Sequence, residues 1–382
     1  MTTENLLQDI VFITLPDSLR QHQEGFTFEP EIPLPVQLAD GQAAIDPSAG
    51  IRIEMIAAGL IKVIAHDPSH THTNYYKSLL TALQPDVVKE LQLAAIAQAN
   101  KDELAFAEEL FLAASYLNPH IPELFVNLSV LYGQQARKAM DADEQASYDA
   151  AIERQVSVLR RGLEHNPLSE LLLSEFGLLN LFLENDELAY QYLSEYLKIA
   201  PEGEKKELIA ERVQELAQRI DDEQTLHAAF DEMQLENEEQ ALRLIDSFLE
   251  HNKKSWSGWF IRGWALRRLG HFSEAAEAFV RCLELGEQNA DIYNELSICT
   301  LELGDRQLAK SYLEIALELD AENVKLLSNL AFLHLQDEEF NQVQSLLLRA
   351  QVIDPNDPAV KHLQGEMTKR IGTAEEDHII DG

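Results

Sequence analysis

Three 34-residue units follow one another without a gap from Trp256 to Asp357, and this regularity limits the fold more than any other property of the chain. With Trp256, Ala290 and Val324 as position one, position eight holds Gly263, Ser297 and Ala331. Position twenty holds Ala275, Ala309 and Val343, and position twenty-seven Cys282, Ala316 and Ala350. Position twenty-four is large and apolar each time, as Phe279, Leu313 and Leu347. Position fifteen (Gly270, Gly304, Glu338) marks a turn, and Pro355 closes the third unit. A helix–turn–helix unit accounts for these choices. Small residues let two helices approach closely, large ones fill the space between, and glycine accepts the backbone that a tight turn requires.

The same phase can be followed towards the N-terminus. Residues 88–121 carry it in Leu91, Ala95, Ala107, Phe111, Ala114, Leu117 and Pro119. The next unit starts at Pro122, and its closing Pro167 arrives about fourteen residues late. The excess, Gln134 to Tyr148, is rich in Ala, Asp, Glu and Gln and favours longer helices over a loop. Residues 170–203 return to standard length, and 222–255 form a weaker unit marked by Ala229, Ala241, Ile245 and Phe248. This pattern resembles the tetratricopeptide repeat family. The resemblance implies an all-α, right-handed superhelical solenoid of antiparallel helix pairs.

Outside the regular units the sequence divides as follows. Residues 1–50 form an extended, irregular leader, because Pro30, Pro33 and Pro35 disfavour helix there. An arm lying along the first helices, a short docking arm and a flexible leader all fit that stretch. Residues 51–203 form an N-terminal array with a helical extension near 134–165. Residues 204–221 read as one added linker helix, with Leu208, Ile209, Val213, Leu216 and Ile220 on one face. Residues 222–372 form a C-terminal array ending in a solvating cap helix. Gly372 is expected to stop that helix, leaving 373–382, with Glu375, Glu376 and Asp377, as a disordered acidic tail.

Charge narrows the partners. Of 382 residues, 66 are Asp or Glu and 30 are Lys or Arg, for a formal net charge of -36. Such a field repels a phosphate backbone and an anionic membrane surface, so nucleic acid is excluded as a partner. No apolar run is long enough to span a bilayer, and Glu4 and Asp9 interrupt the start as a signal sequence, so a non-secreted, cytoplasmic chain is expected. The two cysteines, Cys282 and Cys299, sit at inward positions and read as reduced thiols.

No catalytic motif stands out: a Gly-rich phosphate loop, G-x-S-x-G, H-E-x-x-H and C-x-x-C are all absent from the sequence. His66, His70 and His72 near Asp67 have spacing that suits zinc or nickel, but they lie in a stretch of ordinary turn residues. The reading is a polar turn, with no metal and no cofactor.

The family resemblance implies that the first helix of each unit lines a concave groove, with positions 2, 5, 6, 9, 12 and 13 facing a ligand. Carried onto this sequence, those positions nominate Phe260, Trp264, Arg267, Arg268, Asn294, Glu295, Ile298, Asn329 and Phe332 as partner-binding residues. Leu226, His227 and Phe230 of the weaker unit extend the set. Aromatics and arginine often dominate binding energy at interfaces. Members of the family that grip a C-terminal carboxylate use Lys and Asn at these positions. Here only Asn294, Lys325 and Asn329 match, so an amphipathic helix or extended apolar peptide suits the groove better. Arg262 occupies position seven, where the family prefers an apolar residue; a paired acid and a local change of packing both account for it. The expected function is a non-enzymatic protein–protein interaction scaffold or adaptor. The alternatives are a peptide-responsive regulatory sensor and an accessory subunit that presents substrates to a separate enzyme. Self-association through 134–165 or 204–221 is a further candidate contact.

Overall fold

The computed structural model describes residues 6–14, 26, 28–38 and 51–380, with side chains described up to Ile371. The chain divides into two compact units, Met1–Ala217 and Gln218–Gly382.

Four helix pairs make up most of the first unit. They are α1 (Ile53–His66) with α2 (Thr73–Leu83), α3 (Val87–Ala99) with α4 (Leu104–Leu117), α5 (Pro122–Asp141) with α6 (Gln145–His165), and α7 (Glu170–Phe182) with α8 (Asp186–Ile199). At 20 and 21 residues, α5 and α6 are longer than the helices around them and absorb the late arrival of Pro167. Close approach within a pair follows from position eight. A Cβ on Gly177 would lie 2.5 Å from Leu193 Cδ2, so only glycine lets α7 and α8 pack at this separation.

The leader is partly ordered into a two-stranded antiparallel sheet, β1 (Ile10–Ile13) and β2 (Leu34–Gln37), with Phe12 opposite Pro35. The amide of Leu38 donates to the Asp9 carbonyl at 2.9 Å. Alternation then makes Phe12–Pro35 a non-hydrogen-bonded pair, so the missing proline N–H takes nothing from the ladder. The buried Leu34, Val36 and Leu38 hold β2 against the helices. Its backbone runs so close to α1 that a Cβ on Gly59 would meet the Pro35 carbonyl oxygen at 2.4 Å. Side chains complete the attachment: Lys62 Nζ pairs with Asp9 at 2.8 Å, and the Tyr76 hydroxyl donates to the Pro33 carbonyl at 2.7 Å. The segments 15–25 and 39–50 lie outside the described residues.

The second unit holds α10 (Glu238–His251), α11 (Trp256–Arg268) with α12 (Phe272–Glu284), α13 (Ala290–Glu302) with α14 (Arg306–Leu319), and α15 (Val324–Gln336) with α16 (Phe340–Ile353). Each first helix starts at a polar cap in 34-residue register. Ser255, Asn289, Asn323 and Asp357 accept from the amides of Gly258, Ile292, Leu326 and Val360. Glycine at position eight again sets the spacing, since a Cβ on Gly263 would meet the Phe279 ring at 2.8 Å. Position fifteen is left-handed in both glycine and glutamate forms: Gly270 at φ 83°, Gly304 at 91° and Glu338 at 59°.

Two boundaries differ from the sequence reading. The added segment 204–221 is not a separate helix; α9 runs unbroken from Glu204 to Gln234, through the start of the weaker repeat. No Gly or Pro interrupts those 31 residues, so nothing in the backbone ends the helix at Asp221. At the other end, α17 spans Pro358–Ile380, so Gly372 does not stop it and residues 373–380 are helical instead of disordered. A lone glycine costs a helix about 1 kcal/mol and ends it only where a left-handed cap forms.

Candidate functional site

The nominated residues lie on the first helices of consecutive pairs in the second unit, and the structure sorts them into two groups. The polar ones are engaged with neighbouring helices. Arg267 pairs with Glu295 of the next first helix through Nε and Oε2, both at buried positions. Asn329 Nδ2 donates to Asn294 Oδ1 at 2.8 Å, and Asn294 is only 1% exposed. Arg268 reaches back to the end of α9: Nη1 donates to the Met233 carbonyl at 3.2 Å, and Nε lies 2.8 Å from Glu238 Oε1. Arg370 repeats that arrangement three units later, donating to the Leu335 carbonyl at 3.0 Å. Residues facing a shared surface therefore also tie its helices together, and their charge is consumed within the chain. Arg262 resolves in favour of an acid partner, Asp246 at 2.7 Å, on the solvent-exposed side.

The apolar group is left open. Position nine reads Phe230, Trp264, Ile298 and Phe332 across four consecutive first helices, an interval of 34 residues each time. Phe230 is 46% exposed and Phe332 42%, with Trp264 and Ile298 half-buried between them. The Phe230 and Trp264 rings are 6.0 Å apart. Phe260, one turn before Trp264, packs edge-on against Phe279 at 5.6 Å and belongs to the floor of the face. Glu366 takes position nine on α17 and ends the series. The sequence marked all of these residues, but pairing across helices depends on the stacking angle and could not be read from one repeat.

Groups with chemical potential elsewhere are held in unreactive states. Lys310, 5% exposed, lies 2.7 Å from Asp337 and 2.6 Å from Glu339. Burial works against its charge, but the hydrogen bonds to Asp337 and Glu339 outweigh it and raise the pKa above the ordinary lysine value. This is the reverse of a nucleophilic lysine. Of the three histidines near Asp67, His70 and His72 touch each other, the His72 amide donating to His70 Nδ1 at 3.2 Å, while His66 stands apart. His66 contacts Glu109 at 3.0 Å, His70 stacks on Phe12 at 5.5 Å, and His72 meets the edge of Tyr76. No group of three or more potential ligands is poised for a metal among the described residues. A cleft of about 800 Å³ in the first unit is lined by Lys62, His66, Glu108, Glu109 and Arg154. Within it Arg154 pairs with Glu108 at 3.1 Å, and His66 Nε2 lies 3.0 Å from Glu109.

Cys282 and Cys299 are fully buried free thiols, and burial pushes both up to about 12. Both thiols stay buried and protonated at pH 8, so iodoacetamide should leave the native protein unmodified and label both cysteines after unfolding. Rapid labelling of native protein, followed by intact-mass measurement, would contradict that environment. The sign of the pH effect follows. An unfolded thiol ionises above about 8.5 while the folded one keeps its proton, so this contribution to stability is lost as pH rises past that value.

A helix-pair array in 34-residue register, with an apolar ladder along its first helices, defines an α-helical repeat protein. Residues 256–289 and 301–367 match the tetratricopeptide repeat family. The chain thus carries tetratricopeptide repeats in its second unit. No curated protein matches it in sequence. Among solved structures it is similar to a chain of the APC/C hetero-tetramer Cut9–Hcn1, at 13% identity and a TM-score of 0.36, over 83% of this chain and 52% of that one. This chain thus spans about half the length of that relative. It is also similar to a tetratricopeptide repeat protein from Parabacteroides merdae ATCC 43184, at 17% identity and a TM-score of 0.34, over 74% and 99% of the two chains. A third likeness is to YrrB, described as a TPR protein with an unusual peptide-binding site, at 16% identity and a TM-score of 0.27, over 57% and 95%. Among the described residues no helix is long and apolar enough to cross a membrane.

Proposed function

We propose that this chain is a non-enzymatic interaction scaffold that holds a polypeptide segment against the first helices of its second unit. The observation that carries this reading is the position-nine ladder. Large apolar side chains at Phe230 and Phe332 stay more than 40% exposed although neighbouring polar residues are engaged within the chain. Exposed aromatics in register on a rigid frame are the residues that bind partners most strongly. The partner is an amphipathic segment with apolar anchors and flanking basic residues. Its apolar side meets the ladder, and its charge complements a chain of net charge -36.

Phe230→Ala and Phe332→Ala test the reading cleanly, because truncating exposed side chains should change stability by less than about 1 kcal/mol. Each variant is expected to weaken partner binding about tenfold or more, and the double variant to abolish capture from native lysate. A partner list identical for wild type and double variant would move binding off this face.

A further inference from the structure

The first unit carries a cluster of cations that the ladder does not involve. Tyr116, Arg161 and Lys77 come from α4, α6 and α2, the second helices of three consecutive pairs. The Arg161 guanidinium carbon lies 4.2 Å from the centre of the Tyr116 ring, and Nη2 donates to Ser115 Oγ at 2.8 Å. Lys77 Nζ is 5.8 Å from the centre of the same ring. The two cations are therefore no more than about 10 Å apart, both against one aromatic side chain. His165, the last residue of α6, meets His120 of the turn after α4 edge to face at 6.1 Å.

Two half-buried cations share one aromatic ring here with no acid between them. Lys62, Lys138 and Arg154 of the same unit each pair with a carboxylate. Neither Lys77 nor Arg161 has an ion pair among the described residues, in a chain with more than twice as many acids as bases. Both are half-buried. Burial lowers the Lys77 pKa, and the one charge that adds to it is the like charge of Arg161. Two desolvated cations that repel each other cost stability when nothing lies between them.

We propose that Lys77, Tyr116 and Arg161 form a binding site for a phosphate-type dianion, free or carried as a phosphomonoester. Two positive charges match a dianion, whereas one carboxylate leaves a cation uncompensated. The planar guanidinium offers a fork for two oxygens, the ammonium supplies a mobile point charge, and the ring holds both stems in place. A nucleic-acid backbone does not fit, because every added phosphate meets the acidic field of the chain, while a single phosphoryl group meets it once.

The test is titration calorimetry and thermal unfolding of the full chain with inorganic phosphate and, separately, a short phosphoserine peptide. Sodium chloride at equal ionic strength controls for screening. Wild type should show saturable heat in at least one arm, and a melting temperature raised by roughly 2–4 °C at ten times Kd. Lys77→Met should unfold at the same or a higher temperature than wild type, since it removes a buried like charge, and should show neither heat nor shift. Heat with phosphate identifies a free anion as sufficient; heat with the peptide alone assigns the site to an esterified group. Equal responses from wild type and Lys77→Met, or no heat in either arm, would overturn the proposal.

Discussion

Arg267→Met is expected to cost the second unit about 3 kcal/mol, because it strands the Glu295 carboxylate, whose side chain is only 10% exposed. The double variant Arg267→Met/Glu295→Leu should regain most of that loss, since an apolar pair of similar volume removes both charges together. Arg262→Met supplies the comparison. Its partner Asp246 is half-exposed, so the change should stay within about 1 kcal/mol. Urea unfolding followed by circular dichroism measures all three. If Arg267→Met and Arg262→Met lose the same small amount, the inter-helix pair carries no structural weight. Arg267 would then be free to serve a partner instead.

Gly59→Ala should have an effect of similar size in the first unit. A methyl group there meets the Pro35 carbonyl oxygen at 2.4 Å, and that oxygen is backbone, so it cannot swing aside as a side chain would. Either α1 or the strand pair must shift. Release of β2 exposes Leu34, Val36 and Leu38, each worth roughly 1.5–3 kcal/mol when buried. The expected result is faster amide exchange across residues 34–38 and a melting temperature lowered by several degrees, while α11 to α16 stay protected. Unchanged exchange in the variant would mean the strand does not rest on Gly59.

How far the sequence reveals this molecule depends on whether a feature is local. The repeat phase is local: one glycine at position eight and one large residue at position twenty-four define a helix pair, and Gly263 against Phe279 packs as the pattern requires. The caps Ser255, Asn289, Asn323 and Asp357 recur at 34-residue intervals, a local signal that the sequence reading passed over. The strand pair is not local. Ile10–Ile13 is a short β-branched and aromatic run, but its partner lies more than twenty residues away, beyond three prolines, and only packing on α1 selects that pairing. The family resemblance nominates Arg267, Asn294 and Asn329 as ligand-facing, yet gives no sign that Arg267 pairs with Glu295 or that Asn329 donates to Asn294. Those bonds join adjacent repeats, and their geometry is set by stacking, not by spacing within a repeat. For Arg267 and Glu295, opposite charges at positions twelve and six of adjoining units were the available signal.

The ladder has ends, and ends make it a ruler. Adjacent packed helices lie about 8–10 Å apart, so four rungs from Phe230 to Phe332 cover roughly 25–30 Å. A helix that touches every rung needs about 17–20 residues, whereas an extended peptide needs only about 8–9. Glu366, which lies 3.9 Å from Arg370, follows Phe332 in the series. Under the proposed function, a guest whose length matches the four rungs is preferred over a longer apolar one, so chain length becomes a criterion of choice alongside composition.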